Sequence, residues 1–271
     1  MFRPTSPVSL KGLPFNRMVP NILTLLALCA GVTSMRYGLR GEWERAVVAI
    51  LIAAILDGLD GRVARLLRGT SKFGAELDSL SDFVSFGVAP AMVLYLWTMQ
   101  NAGGFGWALV LLFSVCAALR LARFNTMLED PNPQPWTYSF FTGVPTPAGA
   151  GLVMVPMSLS FDFQNEIVRH PAFVAMFLIG VSFLEVSRVP TFSFKRVRVP
   201  HRYVLPLMVL VGILAAFLVT DPWATLSMLG LAYLASIPFS IRAFGKLRRE
   251  AEAKEVAAQQ TPVEAPEGLG Q

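Results

Sequence analysis

The sequence predicts an all-α fold: a polytopic transmembrane bundle of about eight spans, with both termini in the cytoplasm. Three observations predict it. Hydrophobic residues make up 54% of the 271-residue chain and charged residues only 15%, where a soluble domain carries roughly 25% charged residues. The apolar residues fall in blocks close to the length of about 20 that spans a bilayer as a helix. The basic residues alternate between connections: Arg36, Arg40, Arg45 and Arg169 fall on one side, and the other 19 of the 23 Lys and Arg on the opposite side. The positive-inside rule makes the Arg- and Lys-rich side cytoplasmic.

Taken in order, residues 1–19 read as a cytoplasmic or interfacial arm bearing Arg3, Lys11 and Arg17. They lack the apolar core that a cleavable signal needs. Spans are expected at about 20–36, 45–66, 77–99, 104–125, 147–162, 171–188, 203–220 and 223–245, within a membrane domain of residues 20–246. The fifth is rich in Gly, Ala and Ser, which suits close helix packing. The basic, aromatic loop at 189–202 reads as a topology determinant against anionic headgroups. It is too tightly flanked by spans for a nucleic-acid role. Residues 247–271 read as a tail that begins as an extension of the last span and continues disordered. Cys29 and Cys116 sit in apolar blocks and read as small buried residues, not a disulfide.

The chemistry is concentrated in residues 57–82, DGLDGRVARLLRGTSKFGAELDSLSD. Asp57, Asp60, Gly61, Ala64 and Arg65 share one face of a helix, because their offsets follow the helical period. Gly74, Asp78 and Asp82 share a face of the next helix by the same rule. A turn through Gly69, Thr70 and Ser71 brings the two faces together. A charged Asp at membrane depth costs roughly 2.5–3.5 kcal/mol on insertion scales, and four facing carboxylates repel one another. Arg65 neutralises one at most. Divalent cations answer the remaining cost, and oxygen ligands without His or Cys suit Mg²⁺, Mn²⁺ or Ca²⁺. The small residues Gly61, Ala64 and Gly74 leave room for a phosphorylated ligand beside the carboxylates, with Arg65 placed to grip phosphate oxygens.

Those residues carry a resemblance. Asp57-Gly58-Leu59-Asp60-Gly61-Arg62-Val63-Ala64-Arg65, followed after eight residues by Gly74 and then by Asp78 and Asp82 at intervals of four, resembles the signature of the CDP-alcohol phosphotransferases. The likeness extends from Pro20-Asn21 to about Gly149. It implies a dimeric helical membrane enzyme with a cavity open to the cytoplasm and two divalent ions, Mg²⁺ or Mn²⁺. It implies that Asp57, Asp60 and Asp78 are metal ligands. Asp82 is implied to be the general base, also able to touch the second metal. Gly61, Ala64, Arg65 and Gly74 would contact the CDP-lipid, with Asn21 and Thr24 as further contacts.

Within the family, the stretches Phe73–Pro90, Arg120–Asn125 and Phe141–Pro147 are similar to the membrane-integral phosphatidylserine synthases. The expected reaction therefore moves a phosphatidyl group from CDP-diacylglycerol to L-serine, giving phosphatidylserine and CMP. Arg120 and Arg123 are candidates for the serine carboxylate or the lipid phosphate, with Asn125 and Ser85 behind them.

Competing readings are a related synthase acting on glycerol phosphate or inositol phosphate, an ion or metal transporter, and a non-catalytic lipid-binding scaffold. A transporter expects acids spread along a path. Here spans five to eight hold only Glu185 within their apolar lengths, with Asp162 at the end of span five.

Overall fold

The computed structural model describes residues 15–67, 69, 71–128, 140–163, 166–187, 189–192 and 201–260. Most of the amino-terminal arm, Thr70, most of the 189–202 loop and the end of the tail lie outside them. Helix α1 spans Phe15–Leu39 and α2 spans Trp43–Leu66. They are joined by a tight turn in which Gly41 takes φ +73°, a left-handed conformation that glycine adopts without a Cβ penalty. Helix α3, Lys72–Asp82, is capped by Ser71, whose Oγ accepts from the Gly74 N–H at 3.0 Å. That bond satisfies one of the orphan donors of a helix start.

The chain does not stop at Asp82. It runs through a π-helical turn at Phe83–Val88 into α4, Ala89–Trp97. Pro90, near the start of α4, has no N–H to give the preceding turn, and a wider turn there accommodates the loss. Helix α5 follows at Gly103–Leu128. The segment expected as a single fifth span is two helices, α6 at Thr146–Val153 and α7 at Val155–Asp162. The break falls at Met154, two residues before Pro156, where the ladder loses a donor. A short helix α8, Glu166–Arg169, leads to α9, Pro171–Val186. Helices α10, Val204–Thr220, and α11, Pro222–Gln260, complete the described chain. Two three-residue strands, β1 (Phe140–Thr142) and β2 (Pro190–Phe192), pair antiparallel with Phe141 opposite Thr191.

Among the described residues, four stretches of helix are long and apolar enough to cross a membrane: Met18–Leu39, Lys72–Trp97, Met99–Met127 and Pro222–Arg242. Pro171–Val186 and Val204–Thr220 are apolar but shorter. The core is built from Phe86, Leu94, Phe113, Leu152, Met157 and Leu178, all fully buried. Helix α10 buries none of its residues. Cys29 is exposed and Cys116 half-buried, and both are free thiols. The expectation that both are buried fails at Cys29 because a lipid-facing surface is as apolar as a core, so apolar neighbours do not signal burial.

Two contacts fix the part of the bundle that matters for function. Helices α1 and α2 pack along their lengths as an antiparallel hairpin, and α1 also lies against α3 and α4. At Gly31 a Cβ would come within 2.5 Å of Ser85 Oγ. Only a residue without a side chain lets α1 approach the π-helical turn that closely.

Candidate active site

Three helices meet at the aspartates. Asp57 and Asp60 stand one turn apart near the end of α2, and Asp78 and Asp82 one turn apart in α3. Asp57, Asp60 and Asp78 each present a carboxylate oxygen, and these oxygens all lie within 4.8 Å of one another. Asp82 sits against Asp57 at hydrogen-bonding range.

Helix α1 supplies a part the spacing did not reveal. The Thr24 hydroxyl donates to Asp60 Oδ2 at 2.6 Å and lies 3.1 Å from the Pro20 carbonyl. Thr24 and Asp60 are each 5% exposed, so water cannot substitute for that bond. One helix over, the Ser81 hydroxyl donates to the Thr24 carbonyl at 3.1 Å, tying α3 to α1 at the same level. Thr24, expected beside the nucleotide, thus holds a carboxylate in place. A signal for it existed in the sequence, since a hydroxyl in an apolar helix seeks a partner. Which partner it finds depends on tertiary packing.

The donor set fits a hard divalent cation. It consists of carboxylates alone, half-buried or buried, and Asp78 Oδ1 is buried with no hydrogen-bond partner in the protein. Among the described residues no cation pairs with the four carboxylates; the ion pair that forms, Arg45 to Glu42 at 2.5 Å, lies at the other end of α2. Arg65 is exposed, and its guanidinium lies 3.9 Å from where a Cβ on Gly61 would stand. It therefore flanks the cluster without being spent on it. Gly74 and Asn21 are in contact: a Cβ at Gly74 would lie 2.9 Å from Asn21 Oδ1 and 3.1 Å from Ser71 Oγ. Gly61 and Ala64, both half-buried, lie between Asp60 and Arg65 on the same face of α2.

The remaining candidates lie beyond α3. Arg120 is buried, 7% exposed, and its Nη1 donates to Thr146 Oγ1 at 2.7 Å. Asp82 is within its electrostatic reach. Arg123 is engaged with the end of α9, donating to the carbonyls of Val186 at 2.8 Å and Ser187 at 3.2 Å. Such bonds satisfy the orphan carbonyls of a helix terminus. Asn125 Nδ2 donates to Ser79 Oγ at 2.9 Å, and Ser85 Oγ to the Ala27 carbonyl at 3.3 Å. Both of these side chains are therefore bound within the bundle.

A helical bundle with membrane-crossing helices and carboxylates clustered beside small residues suits a membrane-embedded transferase, and the comparisons with known proteins identify the family. Residues 17–237 match the model of the CDP-alcohol phosphatidyltransferase family. The chain belongs to that family and is an integral membrane protein. It is 43% identical over 225 residues to a Mycobacterium leprae protein named CDP-diacylglycerol–serine O-phosphatidyltransferase, covering 83% of this chain and 75% of that one. Proteins of the same name from Helicobacter pylori and Bacillus subtilis are 36% identical over 217 residues and 32% identical over 178. Those alignments cover 80% and 66% of this chain, and 88% and 92% of the relatives.

Proposed function

We propose that the protein transfers the phosphatidyl group of CDP-diacylglycerol to L-serine, releasing CMP, in phospholipid biosynthesis. The observation that carries this reading is the convergence of Asp57, Asp60 and Asp78 within 4.8 Å, in a chain of this family whose relatives bear that name. Asp57, Asp60 and Asp78, with Asp82 at their edge, would hold two divalent ions, Mg²⁺ or Mn²⁺. When bound, such ions neutralise charge on pyrophosphate oxygens and on the leaving phosphate.

The chain's own residues do the rest. Asn21, Gly61, Ala64, Arg65 and Gly74 form the CDP slot: the small residues admit the nucleotide and Arg65 grips phosphate oxygens in bidentate fashion. Asp82 takes the proton of the serine hydroxyl as general base. The serine oxygen forms a new bond to the phosphorus that carries diacylglycerol. The bond from that phosphorus to the bridging oxygen breaks, and CMP leaves with the electron pair. Arg120 faces the acceptor from the neighbouring helix, while Arg123 holds the end of α9. An apolar groove lined by Ile50, Leu51, Leu152, Val155, Leu226 and Leu229 runs beside α2, about 10 Å from Asp57 by the helical rise. It suits an acyl chain.

We further propose eight spans with both termini and the aspartates on the cytoplasmic side. Helix at or near each of the eight expected segments supports the count, and the distribution of Lys and Arg supports the orientation. The family resemblance implies that the enzyme works as a homodimer. A panel of acceptors with CDP-diacylglycerol tests the substrate: serine should be used, and glycerol 3-phosphate and inositol 3-phosphate left unused. Preference for either phosphorylated alcohol would assign the chain to a different synthase of the same family.

A further inference from the structure

Glu185 is not used by the chemistry above, and its setting is unusual. It is 0% exposed, and neither Oε1 nor Oε2 has a hydrogen-bond partner. Burying a carboxylate in that condition is costly, and Arg120 is the cation within its electrostatic reach. The side chain lies against Gly149 of α6, where a Cβ would collide with Oε1. Three residues earlier on the same helix, Thr146 accepts from Arg120. Glu185 and Arg120 therefore meet over one face of α6, about one helical turn apart. Each lies within electrostatic reach of the other, yet they form no direct ion pair. Arg120 also keeps its Nε buried and unpartnered, with Tyr233 of α11 nearby.

The backbone around Glu185 is held firmly. Arg123 Nη2 donates to the Glu185 carbonyl at 3.4 Å, and the Val144 N–H donates to the Leu184 carbonyl at 3.2 Å. Gly143, with φ +79°, lets its loop approach the Glu185 carbonyl, where a Cβ would come within 2.6 Å. A buried cation and a buried anion over one face of α6, both with unsatisfied atoms and with Asp82 within electrostatic reach of the cation, are the two charges that a small zwitterion needs.

We infer that Glu185 and Arg120 form the acceptor-recognition site, Glu185 taking the α-ammonium of the amino acid and Arg120 its α-carboxylate. The inference rests on the serine reading above and deepens it: it says why the acceptor is an amino acid and not a phosphorylated alcohol. The bound hydroxyl is then directed toward Asp82.

The test is steady-state kinetics with L-serine and with L-glycerate, which keeps the configuration, the hydroxymethyl group and the carboxylate but carries a hydroxyl in place of the ammonium. In Glu185→Gln the KM for serine should rise roughly ten- to a hundredfold, the worth of a charged hydrogen bond. The preference for serine over glycerate should fall by the same factor, and the KM for CDP-diacylglycerol should stay within about twofold. Gly149→Ala keeps the charge but displaces the carboxylate, and should shift the serine KM in the same direction. It decides the question if Glu185→Gln does not fold. An unchanged serine KM and unchanged preference, or a fall in kcat equal for all acceptors, would overturn the inference and leave Glu185 a structural group. A native protein that transfers nothing to serine would instead overturn the reading on which it rests.

Discussion

Replacing Thr24 with valine removes one hydrogen bond and almost no volume. The bond runs from the Thr24 hydroxyl to Asp60 Oδ2 at 2.6 Å, within the short range of charge-assisted O–H···O⁻ bonds. Bonds of that type contribute about 1.5–3 kcal/mol. Because Asp60 is 5% exposed, water does not replace the lost donor, and the carboxylate is free to rotate away from the cluster. Loss of such an outer partner typically weakens metal binding 10- to 100-fold. The assay is initial rate against free Mn²⁺ with both substrates saturating. Thr24→Val should raise the half-saturating Mn²⁺ by roughly that 10- to 100-fold factor and recover most of its rate at high Mn²⁺. Thr24→Ser, which keeps the hydroxyl, should behave nearly as the native protein. An unchanged Mn²⁺ dependence in Thr24→Val would refute the argument, as would equal defects in the valine and serine variants.

Three further outcomes are expected. Gly74→Ala places a methyl group 2.9 Å from Asn21 Oδ1, so Asn21 must move; the KM for CDP-diacylglycerol should rise, measured at saturating serine, with little change in thermal stability. Arg123→Ala frees the carbonyls of Val186 and Ser187 and should lower the melting temperature of the detergent-solubilised protein, while Arg123→Lys should restore part of it. Removing divalent metal with a chelator should abolish transfer, and Mn²⁺ added back should restore it, as followed by CMP release.

How much of this was legible in the sequence depends on whether the signal was local. The four aspartates were legible because the helical period alone puts Asp57 beside Asp60 and Asp78 beside Asp82, and the short connection keeps the end of α2 near α3, with α1 packed against both. The Ser71 cap was within reach for the same reason, since its partner is the amide of Gly74. Thr24 was visible as a residue, but its bond to Asp60 links positions 36 apart and depends on how closely α1 approaches. That approach rests in turn on Gly31 meeting Ser85, a contact no periodicity encodes. The π-helical turn at Phe83–Val88 and the break at Met154 both lie beside prolines, Pro90 and Pro156. Proline marks that a helix must adjust, but the surrounding packing decides whether it widens or breaks. Glu185 stood out as an isolated acid, while its place near Arg120 over α6 appears only once α5, α6 and α9 are assembled.

The aspartate cluster is proposed to perform metal-dependent transfer to serine, with Asp82 as the base. The most direct measurement supplies the purified protein with CDP-diacylglycerol, Mn²⁺ and labelled serine, and compares it with Asp82→Asn. The native protein should form labelled phosphatidylserine and CMP in equal amounts, and Asp82→Asn should lose about 10²-fold or more of that rate. Phosphatidylserine formation at full rate by Asp82→Asn, or by the native protein in the presence of chelator, would contradict the claim.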